Sequence, residues 1–292
     1  MGQLLKILQK RVPTKPSDIR DAALKLFATA VIGFIAFLVI YPFLWMISAS
    51  FKRPADVLGF PVQWIPDYWY PDNYIRIFGL SPGVGTLYMN SIIVTVSNVS
   101  GALLFSALAA YAFAKLRFFG RDVIFLTIIA TLMVPPQSTY VARFIIFTEL
   151  GLVNTRWALI LPGLFAAFGT FLLRQYFMQI PNEIVESGLV DGAGPLQIWA
   201  RLIMPIARPA IATFVIVVFT HHWNDYETPL IFLRDPQLFT LPLGLVNFAD
   251  ETGIFYHYQM ALSVASVLPI FVIFVLAQKQ FIQGLTSGSV KG

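Results

Sequence analysis

Two groups of residues in this chain have the types and spacing to do chemistry, and neither is composed like a catalytic centre. The first is Glu186-Ser187-Gly188-Leu189-Val190-Asp191-Gly192-Ala193-Gly194, followed by Leu196 and then by Pro205 and Pro209. Two carboxylates, a glycine hinge and two spaced prolines interrupt long apolar stretches here. That pattern presents an ordered helix-turn-helix to a partner in the water. The second group is Gln137, Tyr140 and Arg143, which follow Pro135-Pro136, together with His221-His222-Trp223-Asn224-Asp225-Tyr226. These are hydrogen-bonding, chargeable and ring-bearing side chains within otherwise apolar stretches, where such groups point by default toward a pathway or a partner group. Enzymatic chemistry would need a clustered acid, base, nucleophile or metal set. His221, His222 and His257 are the only histidines, no cysteine occurs, and no His-Glu-x-x-His spacing accompanies them. Gly79-Leu-Ser-Pro-Gly-Val-Gly85 lacks the Lys-Ser/Thr of a phosphate-binding loop. The expectation is therefore no catalytic residue, no metal site and no ATP hydrolysis in this chain.

The elements that hold these groups are set by composition. Hydrophobic residues make up 57% of the 292 positions and charged residues only 12%, with a mean hydropathy of +0.72. This excludes an ordinary soluble domain and fits a polytopic membrane protein with lipid as its solvent. A helix needs roughly 20 apolar residues to cross a bilayer core of about 30 Å, and six stretches qualify: 24–49, 86–114, 123–148, 157–179, 207–232 and 259–282. The fold expected is all-α, with residues 1–23 and 283–292 flanking the six-span unit 24–282. The basic segment from Lys6 to Lys25 precedes a first span too long for a cleaved signal, which reads as a retained anchor. Placing the N-terminus in the cytoplasm puts fourteen of the 20 basic residues on that side and leaves Lys52, Arg53, Arg76, Arg143, Arg156 and Arg234 on the other. Both termini and the 180–206 loop are then cytoplasmic, and the net charge of +5 calls for no nucleic acid. Trp64, Tyr68, Trp69, Tyr70 and Tyr74 mark the outer boundary, and loop 50–85 is expected to pack over the outer mouth. Asn98-Val-Ser100 resembles a glycosylation sequon but falls inside the second span. Pro135-Pro136 breaks the third span, which neighbouring protein or a water-filled cavity must compensate; a kink that fits its neighbours is the alternative to a pathway.

The 180–206 loop reads as two short helices. Pro181 stops the preceding span, Asn182 can cap, and Glu183 and Glu186 fall in a first turn that favours negative charge. Gly192 and Gly194 allow the turn, Pro195 opens the second helix, and Pro205 ends it. Leu189, Val190, Leu196, Ile198 and Trp199 form an apolar face that needs a partner.

The spacing Glu186-x4-Asp191-Gly192-Ala193, then Pro205 and Pro209, resembles the EAA loop of membrane subunits of binding-protein-dependent ABC importers. Further motifs are similar to the maltose-permease type of carbohydrate-uptake subunit: Asn90-Ser-Ile-Ile-Val-Thr95, Ala110-Tyr-Ala-Phe-Ala-Lys115-Leu-Arg117, Leu150-Gly-Leu-Val-Asn154, Phe171-Leu-Leu-Arg174-Gln175, Trp223-Asn224-Asp225, Thr240-Leu-Pro242 and the final Gly284-Leu-Thr-Ser-Gly-Ser-Val-Lys291-Gly292. Two departures stand out: Ser187-Gly188 replaces the usual two alanines, and Met204-Pro205 replaces the usual Leu-Pro. The resemblance implies a multi-pass permease of a bacterial cytoplasmic (inner) membrane. It implies a cytoplasmic ABC ATPase dimer that binds the ATP and Mg, a second permease of a different sequence, and an extracytoplasmic solute-binding protein. It also implies ATPase docking by Glu186 to Ala193, Leu196 and Pro205, and a tail, Thr286, Ser287, Gly288 and Lys291, that reaches into the ATPase dimer. In a carbohydrate pathway Trp223 and Tyr226 would stack on sugar rings and Asn224 would bond hydroxyls. Arg143 then points to an acidic saccharide, such as a uronate oligomer or a sugar phosphate, unless it snorkels to the interface or pairs with a carboxylate of the partner permease. The rival reading is an ion-coupled secondary transporter or channel; against it, nearly every carboxylate lies in a loop or at a span end, where no coupling ion would be held.

Overall fold

The computed structural model describes residues 16–79, 82–246, 249–250 and 253–286. In chain order the helices are α1 (Pro16–Ser50), α2 (Asp72–Gly79), α3 (Val84–Lys115), α4 (Arg121–Ala130), α5 (Tyr140–Glu149), α6 (Trp157–Ile160), α7 (Ala167–Gln179), α8 (Asn182–Val190), α9 (Pro195–Ile198), α10 (Met204–Ile206), α11 (Arg208–Trp223), α12 (Glu227–Phe232), α13 (Leu241–Val246) and α14 (Tyr256–Thr286). A two-residue hairpin, Ala249–Asp250 with Gly253–Ile254, is the strand content of the described residues. Among the described residues four segments are long and apolar enough to cross a membrane: Arg20–Ser50, Val84–Lys115, Trp157–Gln179 and Tyr256–Leu276. Two bent pairs raise the number to six.

The bends are where the structure departs from six straight spans. Arg121–Met133 and Pro136–Glu149 meet at 95°, because Pro135 and Pro136 remove two amide donors and their rings obstruct the preceding turn. Just past the break, Ser138 Oγ donates to Pro135 O and Thr139 Oγ1 to Pro136 O, both at 2.7 Å. The expected fifth span, 207–232, is corrected. Its helix α11 stops at Trp223, and α12 is a separate piece. Asn224 and Asp225 turn their side chains onto the backbone there, the amide donating to Thr220 O at 2.9 Å and Asp225 Oδ1 accepting from Thr228 N at 3.1 Å, so local bonds compete with the helix. Sixteen residues of helix span only about 24 Å, and the preceding piece, Pro195–Ile206, is set at 83° to α11. The fourth span also opens, around Pro162-Gly163, before α7 resumes.

Helices α3, α7 and α11 build the central core, with Ala102, Ala107, Ala110, Leu173, Phe177, Ala210 and Phe214 buried between them. Small residues set the distance. A Cβ on Gly169 would lie 2.0 Å from the Phe214 ring, so glycine admits α11 to the α7 backbone, as small residues do between membrane helices. Side-chain amides tie the loops to this core. Asn90 donates to Gln237 O and Phe239 O and accepts from Arg156. Asn154, at φ 62°, accepts from the amides of Arg234 and Asp235. Asn98 is fully buried, in accord with its place inside the second span. Helix α1 stands apart: it packs along α14 and turns most of its apolar side chains outward. The segment after it folds back, with Trp64 against Tyr41 and Trp45, while Lys52 donates to Gln63 O and Ser48 to Trp64 O. Burial pushes the Lys52 ammonium below its usual value, against the pull of Asp56.

Candidate functional site: an exposed helical turn and a polar cavity

The turn between α8 and α9 is built from its own backbone. Ala193 N bonds Gly188 O at 2.9 Å and Gly192 N bonds Leu189 O at 3.0 Å, the paired closure that ends a helix with a left-handed residue. Gly192 holds that position at φ 78°, which a side chain would resist. Pro195 then occupies the first turn of α9, and Gln197 reaches back to the Gly194 amide at 3.1 Å. The second helix continues differently from expectation. Pro205 does not end it; a π-helical turn, Trp199–Ile203, precedes α10, which carries Pro205 inside it. Widening the turn by one residue relieves the proline's missing donor. Glu183 is the acidic residue of the first turn of α8, and Glu186 lies beyond it. Asn182 is already helical, with Pro181 at the cap position; its Oδ1 accepts instead from Lys115 Nζ at 2.9 Å.

The apolar face expected of this loop divides in two. Ile198 is buried and Trp199 half-buried against the core, so these two already have partners within the chain. Gly188 makes that packing possible: a Cβ there would meet Ile198 Cγ1 and Leu202 Cδ1 at 3.0 Å. Leu189, Val190 and Leu196 stay outside, at 54%, 87% and 67% exposure. Glu186, Ser187, Asp191, Gly192 and Pro205 are exposed beside them, while Ala193 is half-buried.

At the far end of α11 a cavity of about 860 Å³ opens between the two broken spans and the α6 break. Its lining brings together Gln137, Tyr140, Arg143, His221, His222, Asn224, Asp225 and Tyr226. Trp223 is the exception and is corrected. It is 2% exposed, stacked on Phe219 at 5.4 Å, with Nε1 donating to Ser266 O at 3.0 Å; helical periodicity turns it away from its neighbours on α11. It cannot stack on a solute in this arrangement. Glu227, which sequence reasoning missed, accepts from Gln137 Nε2 at 3.1 Å and from Tyr140 OH at 3.2 Å and so joins the third-span break to α12. Its position next to the Trp223-Asn224-Asp225 motif was the signal available. Arg143 donates to Thr139 Oγ1 at 3.2 Å and lies 5.7 Å from the Tyr140 ring centre. One guanidinium thus shares the lining with two carboxylates, Asp225 and Glu227. Among the described residues no group of three or more metal-ligating side chains occurs. Ser287, Gly288 and Lys291 of the expected tail lie outside the described residues, and Thr286 is the last residue of α14.

Comparison with known proteins gives a consistent answer. Residues 102–287 match the family model described as binding-protein-dependent transport system inner membrane component. The chain is 35% identical over 257 residues to the probable ABC transporter permease protein YurM of Bacillus subtilis, covering 86% of this chain and 84% of that one. It is 34% identical over 262 residues to the arabinooligosaccharides transport system permease protein AraQ of Halalkalibacterium halodurans, covering 89% and 94%. Among solved structures, a chain of a bacterial ABC transporter involved in the import of the acidic polysaccharide alginate superposes with a TM-score of 0.81 at 26% identity, over 93% of this chain and 100% of that chain.

Proposed function

This chain belongs to the binding-protein-dependent transport system inner membrane components, and from that membership we propose that it is the permease subunit of an ATP-driven importer of a sugar or oligosaccharide. The observation that carries the reading is the fixed connection between the exposed turn and the cavity. The tips Leu189, Val190 and Leu196 face solvent, while the helices that bear them are keyed through Gly188, Ile198 and Leu202 to the core shared by α3, α7 and α11. Helix α11 carries the cavity at its other end. A rigid push on the turn is thereby delivered to the cavity wall, the kind of local contact with a remote structural readout on which coupling depends.

In this reading a cytoplasmic ABC ATPase dimer binds ATP and Mg, closes, and drags the 180–206 loop with it, so that the spans alternate between inward and outward access. Glu186 and Asp191 make polar contacts with the ATPase, and the three exposed apolar tips fill its cleft. This chain supplies no hydrolytic residue. Both termini lie in the cytoplasm, a second permease of different sequence completes the pathway, and a solute-binding protein delivers the saccharide from outside. Reconstitution into liposomes tests the proposal. Uptake of labelled oligosaccharide should require ATP, the ATPase, the partner permease and the binding protein together. Uptake by this chain alone down an ion gradient would replace the proposal with the secondary-transporter reading.

A further inference from the structure

Behind the cavity wall lies an amide whose role is not explained by packing. We propose that Asn98 positions His222 as a neutral hydrogen-bond donor, its Nε2–H directed to a hydroxyl or ring oxygen of the transported saccharide; the inference rests on the permease reading above. Asn98, on α3, is fully buried. Its Nδ2 lies 3.2 Å from Leu159 O and 3.2 Å from His222 Nδ1. A carbonyl can only accept, so the amide edge facing Leu159 is the NH₂ group. The second hydrogen of that group then goes to His222 Nδ1, which must accept it. Nδ1 therefore carries no proton, and a neutral imidazole holds its proton on Nε2. The imidazolium, with both nitrogens protonated, is disfavoured by the same geometry, because Nδ1–H would face the amide hydrogens.

Two further observations aim the donor at a solute. His222 lines the cavity, and among the described residues no acceptor takes Nε2–H. A donor on the cavity wall is available to an arriving acceptor. Gly163 supplies the clearance: a Cβ there would stand 2.6 Å from Asn98 Cγ and 2.8 Å from His222 Cε1. The break in the fourth span thus brings bare backbone to the pair, and any side chain would displace it. The other charged or titratable groups of the lining are His221 on α11, Tyr140 and Arg143 on α5, and Asp225, Tyr226 and Glu227 at the start of α12. None of these is hydrogen-bonded to His222.

The test uses the complete transporter in liposomes and compares His222→Gln with His222→Phe. Glutamine can place an N–H near the position of Nε2, whereas phenylalanine fills the ring volume without a donor. Loss of one net hydrogen bond should raise the saccharide KM of the phenylalanine variant about three- to tenfold, with the glutamine variant close to the native value. Equal KM in both variants would overturn the donor role. A second variant, Asn98→Asp, sets an acceptor against Nδ1, so the proton moves there or a second proton binds. Saccharide uptake by that variant should show a pH dependence between about pH 5 and 8 that differs from the native profile. A KM and pH profile identical to native in this variant would overturn the positioning role. Should the native transporter take up no saccharide under any supply of ATP and binding protein, the permease reading itself falls, and this inference with it.

Discussion

Gly188 shows how a single missing side chain sets the packing of one helix on another. Its position gives Ile198 Cγ1 and Leu202 Cδ1 just enough room, and in the related motif the same place holds an alanine, so one methyl group is near the limit of what fits. Gly188→Ala should therefore be tolerated with a small shift. Gly188→Leu should overpack the contact, at about 1–3 kcal/mol, and tilt α8 away from α9. The expected outcome is normal membrane insertion with a large loss of ATP-driven uptake, read by comparing protein abundance in the membrane with transport rate. Arg143 poses a question of charge. Its guanidinium is held by Thr139 and beside the Tyr140 ring, which argues against simple snorkelling, yet Asp225 and Glu227 line the same cavity and offset its charge. With an acidic saccharide as the solute, Arg143→Gln should lower uptake of a uronate oligomer well below that of a neutral one. Equal loss of both, or of neither, would assign Arg143 a structural part.

Among the elements, the breaks matter more than the spans. The bend at Pro135-Pro136 brings Gln137, Tyr140 and Arg143 to the cavity, where Glu227 ties the first two to α12. Replacing both prolines by alanine restores the missing amide donors and favours a straighter helix, which should withdraw these side chains from the cavity. Because the chain has no cysteine, Gln137→Cys gives a clean probe. Its maleimide labelling in the double-alanine background should be slower than in the native background, and an unchanged rate would show that packing alone sets the bend. Hydropathy made the spans and this break legible, since apolar length and paired prolines are local properties of the sequence. The end of α11 was not legible, because Asn224 and Asp225 terminate it through side-chain bonds that an apolar window cannot register. Trp223 was misassigned for a related reason: neighbouring residues in sequence share a helix but not a face. Glu227 and Asn98 escaped because their partners lie 90 and 124 positions away, on other helices.

At the scale of the whole molecule the proposed transport cycle requires the two ends of the core to move together, and the turn between α8 and α9 is the place to test it. The tail offers a first handle: deletion of residues 286–292 should lower the solute-stimulated ATPase rate of the assembled transporter, and an unchanged rate would remove the tail from the coupling path. Glu186 offers a sharper one. Among the described residues it makes no hydrogen bond or ion pair, it lies beyond the first turn of α8 where a carboxylate would serve the helix itself, and it is exposed beside Leu189 and Val190. Nothing among the described residues accounts for a carboxylate there, whereas a partner surface would. Glu186→Lys should leave folding and insertion intact, because no internal contact is lost, and should repel or mispair the ATPase cleft, since a reversed charge at an interface costs far more than a deleted one. ATP hydrolysis would then proceed without saccharide uptake, or the ATPase would dissociate during purification. Glu186→Gln, which keeps shape and hydrogen-bonding capacity, should retain a measurable part of the uptake. Normal uptake by the lysine variant at normal abundance would detach the 180–206 loop from energy coupling and leave the functional reading resting on the cavity.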